Sequence, residues 1–215
     1  PSYAMDEASQ QKMVQIIQEK NPNLLIITDD VYGTFVENYH SILQYLPRNT
    51  ACVYSFSKYF GATGWRLAAI AMAHDNLFDE LIRNLPEDKK AILNSRYTCL
   101  TDQVADVRFI DRMVADSRLV ALNGTAGLST PQQVLMSLFA LHSLLDTEDV
   151  YKHEMQELIH DRCYYLWKSL GWPIEPDPLR AGYYAVVDLG LWAKRIYGAD
   201  FEVWLKANFQ SLDIV

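Results

Sequence analysis

Between residues 55 and 66 the sequence SFSKYFGATGWR sets one lysine, Lys58, beside the hydroxyls of Ser55 and Ser57 and ahead of a glycine-bearing turn that closes on Arg66. A lysine amine attacks an aldehyde only while part of its population is neutral, a state favoured by burial or by a second cation nearby. Arg66 and the apolar residues before Ser55 could supply both. The same arginine, the two hydroxyls and the backbone N–H groups of residues 61–64 could also cradle a phosphate, which a guanidinium binds through two parallel bonds. An aldehyde-capturing lysine beside a phosphate cradle is the pairing that pyridoxal 5′-phosphate needs.

That cofactor makes two further demands, and ITDDVYGTF at residues 27–35 has the side chains for both. Its ring nitrogen must keep a proton to draw electrons, and a carboxylate at a strand end favours that charged form, which points to Asp29. Its phenolic oxygen is an anion that needs a donor, and the Tyr32 hydroxyl can give one. Each residue taken singly has a plainer reading: Asp29 and Asp30 as turn caps, Tyr32 as a half-buried core tyrosine, Lys58 as a solvated charge. Together, D-x-x-Y after one apolar run and S-x-S-K-x-x-G-x-x-G-x-R after the next form a long, ordered pattern.

The elements that must position these residues can be read on either side of them. Met13, Val14, Ile16 and Ile17 fit a helix over residues 6–20, broken by Asn-Pro-Asn at 21–23. LLIIT at 24–28 is a continuous apolar run of the kind found in a strand buried on both faces of a parallel sheet, and ACVYSFS and RLAAIAMA predict two further buried strands. Lys58 then falls in the crevice beyond a strand's end, where open α/β sheets bind ligands. Residues 75–121 are helical in pattern with a break near Pro86; a second break at 123–131 precedes two periodic helices, the latter ended by Gly171 and Pro173. After the proline-spaced PIEPDPLR, AGYYAVVDL predicts a strand, followed by helical segments around Trp192 and Trp204. These patterns divide the chain into a large domain over 1–146 and part of a smaller one over 147–215.

The 215 residues, half of them apolar, suffice for a sizeable core. A net charge of −8 without a Lys/Arg cluster argues against a nucleic-acid surface. Cys52, Cys99 and Cys163 are odd in number and set in apolar surroundings, so all three are expected as reduced packing residues in a cytoplasmic protein. No run is long enough to cross a bilayer, and no basic stretch leading into an apolar one opens the chain. His153 and His160 lack zinc-site spacing and His40, His74 and His142 stand alone, so no metal is expected. Gly-Ala-Thr-Gly is too short for a dinucleotide or P-loop fingerprint.

TDDVYGTF followed by YSFSKYFGATGWR resembles the active-site core of the fold-type I pyridoxal-phosphate enzymes, the aspartate aminotransferase family. The resemblance implies an α/β fold with a mainly parallel sheet flanked by helices, plus part of a smaller C-terminal α+β domain. It also implies Lys58 carrying the cofactor aldehyde, Asp29 pairing with the pyridinium, Tyr32 binding the phenolic oxygen, and Ser55, Ser57 and Arg66 holding the phosphate. With FIDRMVADSR, NGTAGLSTPQQ and DPLRAGYYA added, essentially the whole chain is similar to the aspartate 4-decarboxylase branch, whose members turn L-aspartate into L-alanine and carbon dioxide and transaminate weakly. Just before Ser129, where dicarboxylate aminotransferases carry an arginine for the distal carboxylate, this chain has Thr125, Ala126 and Gly127. A tight clamp there would hold the carboxylate in the ground state and oppose its loss.

Arg118 is a further residue that could approach the substrate, with a surface ion pair as its plainer role. The resemblance implies an amino-acid substrate and a homo-oligomer, with no nucleic-acid or membrane partner. The opening PSYAMDE resembles the segment immediately downstream of the family's N-P-x-N-P element, so the sequence reads as an internal piece of a longer one. An ordinary class I aminotransferase, an inert folded core and a non-enzymatic binding module are the alternatives.

Overall fold

Helix α1, Glu7–Lys20, starts where the Asp6 carboxylate accepts the Ser9 N–H and ends at Asn21. The computed structural model describes residues 3–120 and 127–198, with 203, 206 and 207. Ile17, packed with Met13 and Val14, meets Ile42 and Leu46 of the next helical turns and Ile26 of the sheet. Met13, Val14 and Ile17 of the apolar set read in the sequence are therefore the face that α1 turns inward, whereas Ile16, read with them, is 50% exposed.

Three strands form one sheet in the order β1 (Ile26–Asp29), β2 (Thr50–Ser55), β3 (Ala68–Met72). β1 and β2 run parallel, with Thr28 opposite Cys52 and Asp29 opposite Val53. β3 returns antiparallel, Ser55 facing Ala68; a connection of a dozen residues without a crossover helix permits that sense. β2 is the buried centre. Two expectations need correction. β1 is not covered on both faces, since Ile27 is 76% exposed, and β3 is exposed along most of its length. α1 and α2 (Ile42–Tyr45) cover only the Ile26 side, and among the described residues no element lies on the other.

After β2 comes the single turn α3, Phe56–Tyr59. Helices α4 (Leu77–Arg83), α5 (Glu87–Ser95) and α6 (Phe109–Val120) follow with the break at Pro86. Arg112 locks this group. It is buried, donates to the carbonyls of Val104 and Val107 and to Asn94 Oδ1, and lies 4.9 Å from the centre of the Tyr97 ring. Tyr97 fills the core of the turn after α5 and Cys99, two residues on, faces solvent, which corrects the expectation that all three cysteines pack inside; Cys52 and Cys163 do, and all three are free.

α7 (Thr130–Leu145) and α8 (Val150–Ser169) form a hairpin against the sheet's end. Phe139 stacks on Phe60 at 4.5 Å and Tyr151 on Phe60 at 5.6 Å, while the Tyr151 hydroxyl donates to the Tyr59 carbonyl. Buried Gln156 donates to the carbonyls of Thr34 and Val36. α8, which begins just past residue 146, is thus fastened to the loop that follows β1. Gly171, at φ 69°, ends the helix as expected. The strand expected from AGYYAVVDL does not form: only a bridge between Tyr3 and Arg180 is present, because among the described residues no neighbouring strand offers a ladder for residues 181–188. α9, Leu189–Tyr197, contains Trp192; Trp204 lies outside the described residues.

Candidate active site

The parallel pair fixes the geometry. Asp29 ends β1 and Ser55 ends β2, at the same carboxyl edge, and the antiparallel register brings the residues just before Ala68, including Arg66, to that edge as well. Ser55 is the hinge. Its hydroxyl donates to the Leu67 carbonyl at 3.0 Å and accepts the Ser57 N–H at 3.2 Å, so it ends the strand, caps α3 and ties both to the start of β3. Ser57 is buried beneath, its carbonyl accepting from the Thr63 hydroxyl.

Lys58 projects from this turn, half-buried, its Nζ 5.7 Å from the centre of the Tyr183 ring. Among the described residues its ammonium makes no hydrogen bond or ion pair. Gly61, at φ 61°, turns the chain, and Arg66 itself adopts the left-handed region at φ 56° with its guanidinium exposed and touching the Thr63 carbonyl. A non-glycine residue held there is strained. Gln132, at the start of α7, donates to the Trp65 carbonyl and so brings the segment around Ser129 against the same loop. Thr125 and Ala126, read in place of a substrate arginine, lie outside the described residues; Gly127 is exposed.

Asp29 is exposed, one oxygen accepting the Val31 N–H at 3.1 Å. Tyr32 is half-buried, its ring 5.2 Å from Tyr183 and 5.1 Å from Tyr184, and its hydroxyl 2.7 Å from the Tyr184 hydroxyl. Burial, then the bond to Tyr184 and the charge of Asp29, push the Tyr32 hydroxyl well above the usual phenol range. Tyr32 therefore keeps its proton as a donor. Lys58, Tyr183, Tyr32 and Tyr184 make one continuous group, whereas Arg118 does not join it. It lies on the exposed face of α6 with Asp111, Val114 and Leu100 around a depression of about 240 Å³.

Three features escaped the sequence reading. Tyr183 and Tyr184 arrive from far down the chain, and only the neighbouring Gly182 hinted at a fixed turn. Asp30, read as a cap beside Asp29, is buried and accepts from the hydroxyls of Thr28 (2.7 Å) and Tyr39 (2.9 Å) and the thiol of Cys52 (3.2 Å). Burial raises its carboxyl, but bonds from Ser41, Thr28, Cys52 and Tyr39 outweigh it and hold the group below the usual range. Finally, a hollow of about 750 Å³ runs along β1 against α1; Asp29 and Tyr32 line it, but Lys58, Ser55 and Arg66 do not. It lies between β1 and the helices α1 and α2 that partly cover it, and of the expected site residues Asp29 and Tyr32 stand at its wall. Among the described residues no three His, Cys, Asp or Glu side chains gather as metal ligands, and no helix is long and apolar enough to cross a membrane.

The profile of class I and II aminotransferases matches residues 4–194. Over all 215 residues the chain is 50% identical to the bifunctional aspartate aminotransferase and L-aspartate beta-decarboxylase of a Pseudomonas species, and it spans 40% of that relative's length. Among solved structures, an aromatic aminotransferase from Pyrococcus horikoshii OT3 aligns over 79% of this chain and 35% of its own, at 18% identity and a TM-score of 0.39. A second Pyrococcus protein, designated A1, aligns over 80% of this chain and 35% of its own, at 20% identity and the same TM-score of 0.39.

Proposed function

The chain belongs to the class I and II aminotransferase family, whose members depend on pyridoxal phosphate, and from that premise we propose that it carries the lysine-bearing part of an enzyme that decarboxylates L-aspartate at its β-carbon. The products are L-alanine and carbon dioxide, with transamination as a side reaction. The observation that carries the proposal is the placing of Lys58: half-buried, without an ionic partner among the described residues, at the carboxyl edge of a parallel strand pair. Identity of 50% to a relative named for both aspartate activities supports the choice of substrate.

The donor set suits the cofactor. An amine, a cation and two hydroxyls lie along one turn, and a protonated phenol and a carboxylate sit at the end of the neighbouring strand. Bound there, pyridoxal phosphate supplies an aldehyde that captures amines and a ring that withdraws electrons from the captured amino acid. Lys58 would hold that aldehyde and, once displaced by substrate, move the proton at the substrate's Cα. Asp29 would hold the proton on the ring nitrogen, and Tyr32 would donate to the phenolic oxygen. Ser57 and Arg66 would bind the phosphate, Arg66 through paired N–H groups, and Ser55 would join them on turning away the proton it here gives to the Leu67 carbonyl.

The carboxylate's departure leaves an electron pair on Cβ that must take up a proton, and an arginine gripping that carboxylate would resist the charge loss. Thr125, Ala126 and Gly127 in the arginine's place favour decarboxylation over transamination alone. The family's assembly habit supports a homo-oligomer, and three free cysteines support a cytoplasmic setting. The division into domains at residue 146 goes with this reading.

Purified protein given pyridoxal phosphate is expected to gain a visible absorbance that borohydride abolishes, and Lys58→Ala to gain none. With aspartate and no keto acid, equal amounts of alanine and carbon dioxide are expected. Alanine formation that requires an added keto acid would refute decarboxylation and leave the aminotransferase reading.

A further inference from the structure

Residues 179–184 belong to no helix or strand, yet they are pinned at every step. Ala4 N–H donates to the Leu179 carbonyl at 2.8 Å, and His160 Nε2 bonds the Arg180 carbonyl at 2.9 Å. Ala181 is 3% exposed, and the Tyr183 ring packs 5.1 Å from Phe35. So many fastenings on an irregular segment deliver two phenols to the lysine turn: Tyr183 beside Lys58, and Tyr184 with its hydroxyl on that of Tyr32.

We propose that Tyr184 is a positioning residue that acts through Tyr32, the two hydroxyls forming a relay that donates to an anionic phenolic oxygen bound beside Lys58. Each hydroxyl has one proton to give and two lone pairs to receive. Before the anion arrives, Tyr32 can spend its proton on Tyr184. Once Tyr32 turns that proton to the anion, its oxygen becomes the acceptor for Tyr184, and a bond received strengthens the bond given. Tyr183, wedged between Lys58 and Tyr32 with its ring on Phe35, keeps both partners in register. The inference rests on the reading that Lys58 captures pyridoxal phosphate and that Tyr32 faces its phenolic oxygen.

The test is a pH titration of the visible absorbance in the full protein loaded with pyridoxal phosphate, comparing the parent, Tyr184→Phe and Tyr165→Phe. Tyr165 is 74% exposed on α8 and serves as the control. Tyr184→Phe keeps the ring and removes the donor, so the anionic phenolic oxygen is less stabilised and the titration midpoint moves upward by about half a unit. Tyr165→Phe is expected to titrate as the parent. A Tyr184→Phe midpoint equal to the parent's, or an equal shift in Tyr165→Phe, overturns the relay while the Lys58 reading stands. Failure of the parent to form any band that borohydride removes overturns both.

Discussion

Replacing Asp30 by Asn changes one oxygen to an amide and removes one charge, and the structure sets how much that should cost. Asp30 is 8% exposed and receives two hydroxyls at 2.7 and 2.9 Å and a thiol at 3.2 Å. A bond to a charged acceptor is worth about 1 kcal/mol more than a neutral one, so the two hydroxyl bonds lose about 2 kcal/mol between them. The new amide also faces the Cys52 thiol with a donor where an acceptor stood. Relief from burying a charge offsets part of this, leaving a net loss of roughly 1–3 kcal/mol at neutral pH. Because the native carboxyl is held below its ordinary value of 3.8, its contribution is complete above that value and is lost as pH falls through the lower native one. Urea unfolding of parent and Asp30→Asn should therefore show a full gap from about pH 5 upward and a gap that narrows below about pH 4 and closes only as the folded carboxyl takes up its proton at the lower native value. Equal midpoints at pH 7, or a gap that widens on acidification, would refute the view that an ionised Asp30 braces the loop carrying Asp29 and Tyr32.

The three thiols should separate by reactivity. Burial, then the bond to Asp30, pushes Cys52 up to about 12, which leaves about one part in ten thousand as thiolate at pH 8. Native protein is expected to label quickly at exposed Cys99 alone and at Cys52 and Cys163 only in denaturant, as counted by mass spectrometry; prompt labelling of Cys52 would contradict its burial. Gly182→Ala puts a side chain at φ 69° with its Cβ 3.2 Å from the His160 ring and 3.5 Å from Cys163, whereas Gly61→Ala at φ 61° meets open space. Both carry the strain of roughly 1 kcal/mol, but only Gly182→Ala should also lower pyridoxal-phosphate binding by unseating Tyr183 and Tyr184, read by thermal melts alongside a cofactor titration.

The lysine turn was legible in the sequence because every residue it needs lies within a dozen positions. Ser55 must end a strand and cap a turn, Gly61 must reverse the chain, and Arg66 must come after it, so local chemistry alone orders them. Helices such as α1 and α8 were legible for the same reason, their stripes and stop signals being local. β1 and β3 were misjudged as fully buried because an apolar run reports what a strand can bury, while burial itself depends on which element lies over it. AGYYAVVDL likewise has the residues of a strand, but a strand is a relation between two segments, and among the described residues the second is lacking.

Tyr183 and Tyr184 make the same point for the site. Their residue types carry no hint of a role, and tyrosines in apolar surroundings are ordinary. What gives them one is the clamp of His160 on the Arg180 carbonyl and the left-handed turn at Gly182, which carry the segment more than 120 positions away in sequence onto Lys58 and Tyr32. Asp30 differs again. It was visible as the second half of an acidic doublet, and a sequence cannot say which of two adjacent carboxylates turns inward. The register decides it: Thr28 pairs with Cys52, so both polar side chains rise on one face of the sheet, and the carboxylate that can reach them is the one that must be buried. Its neighbour is then left at the open edge, where a cationic ring could meet it.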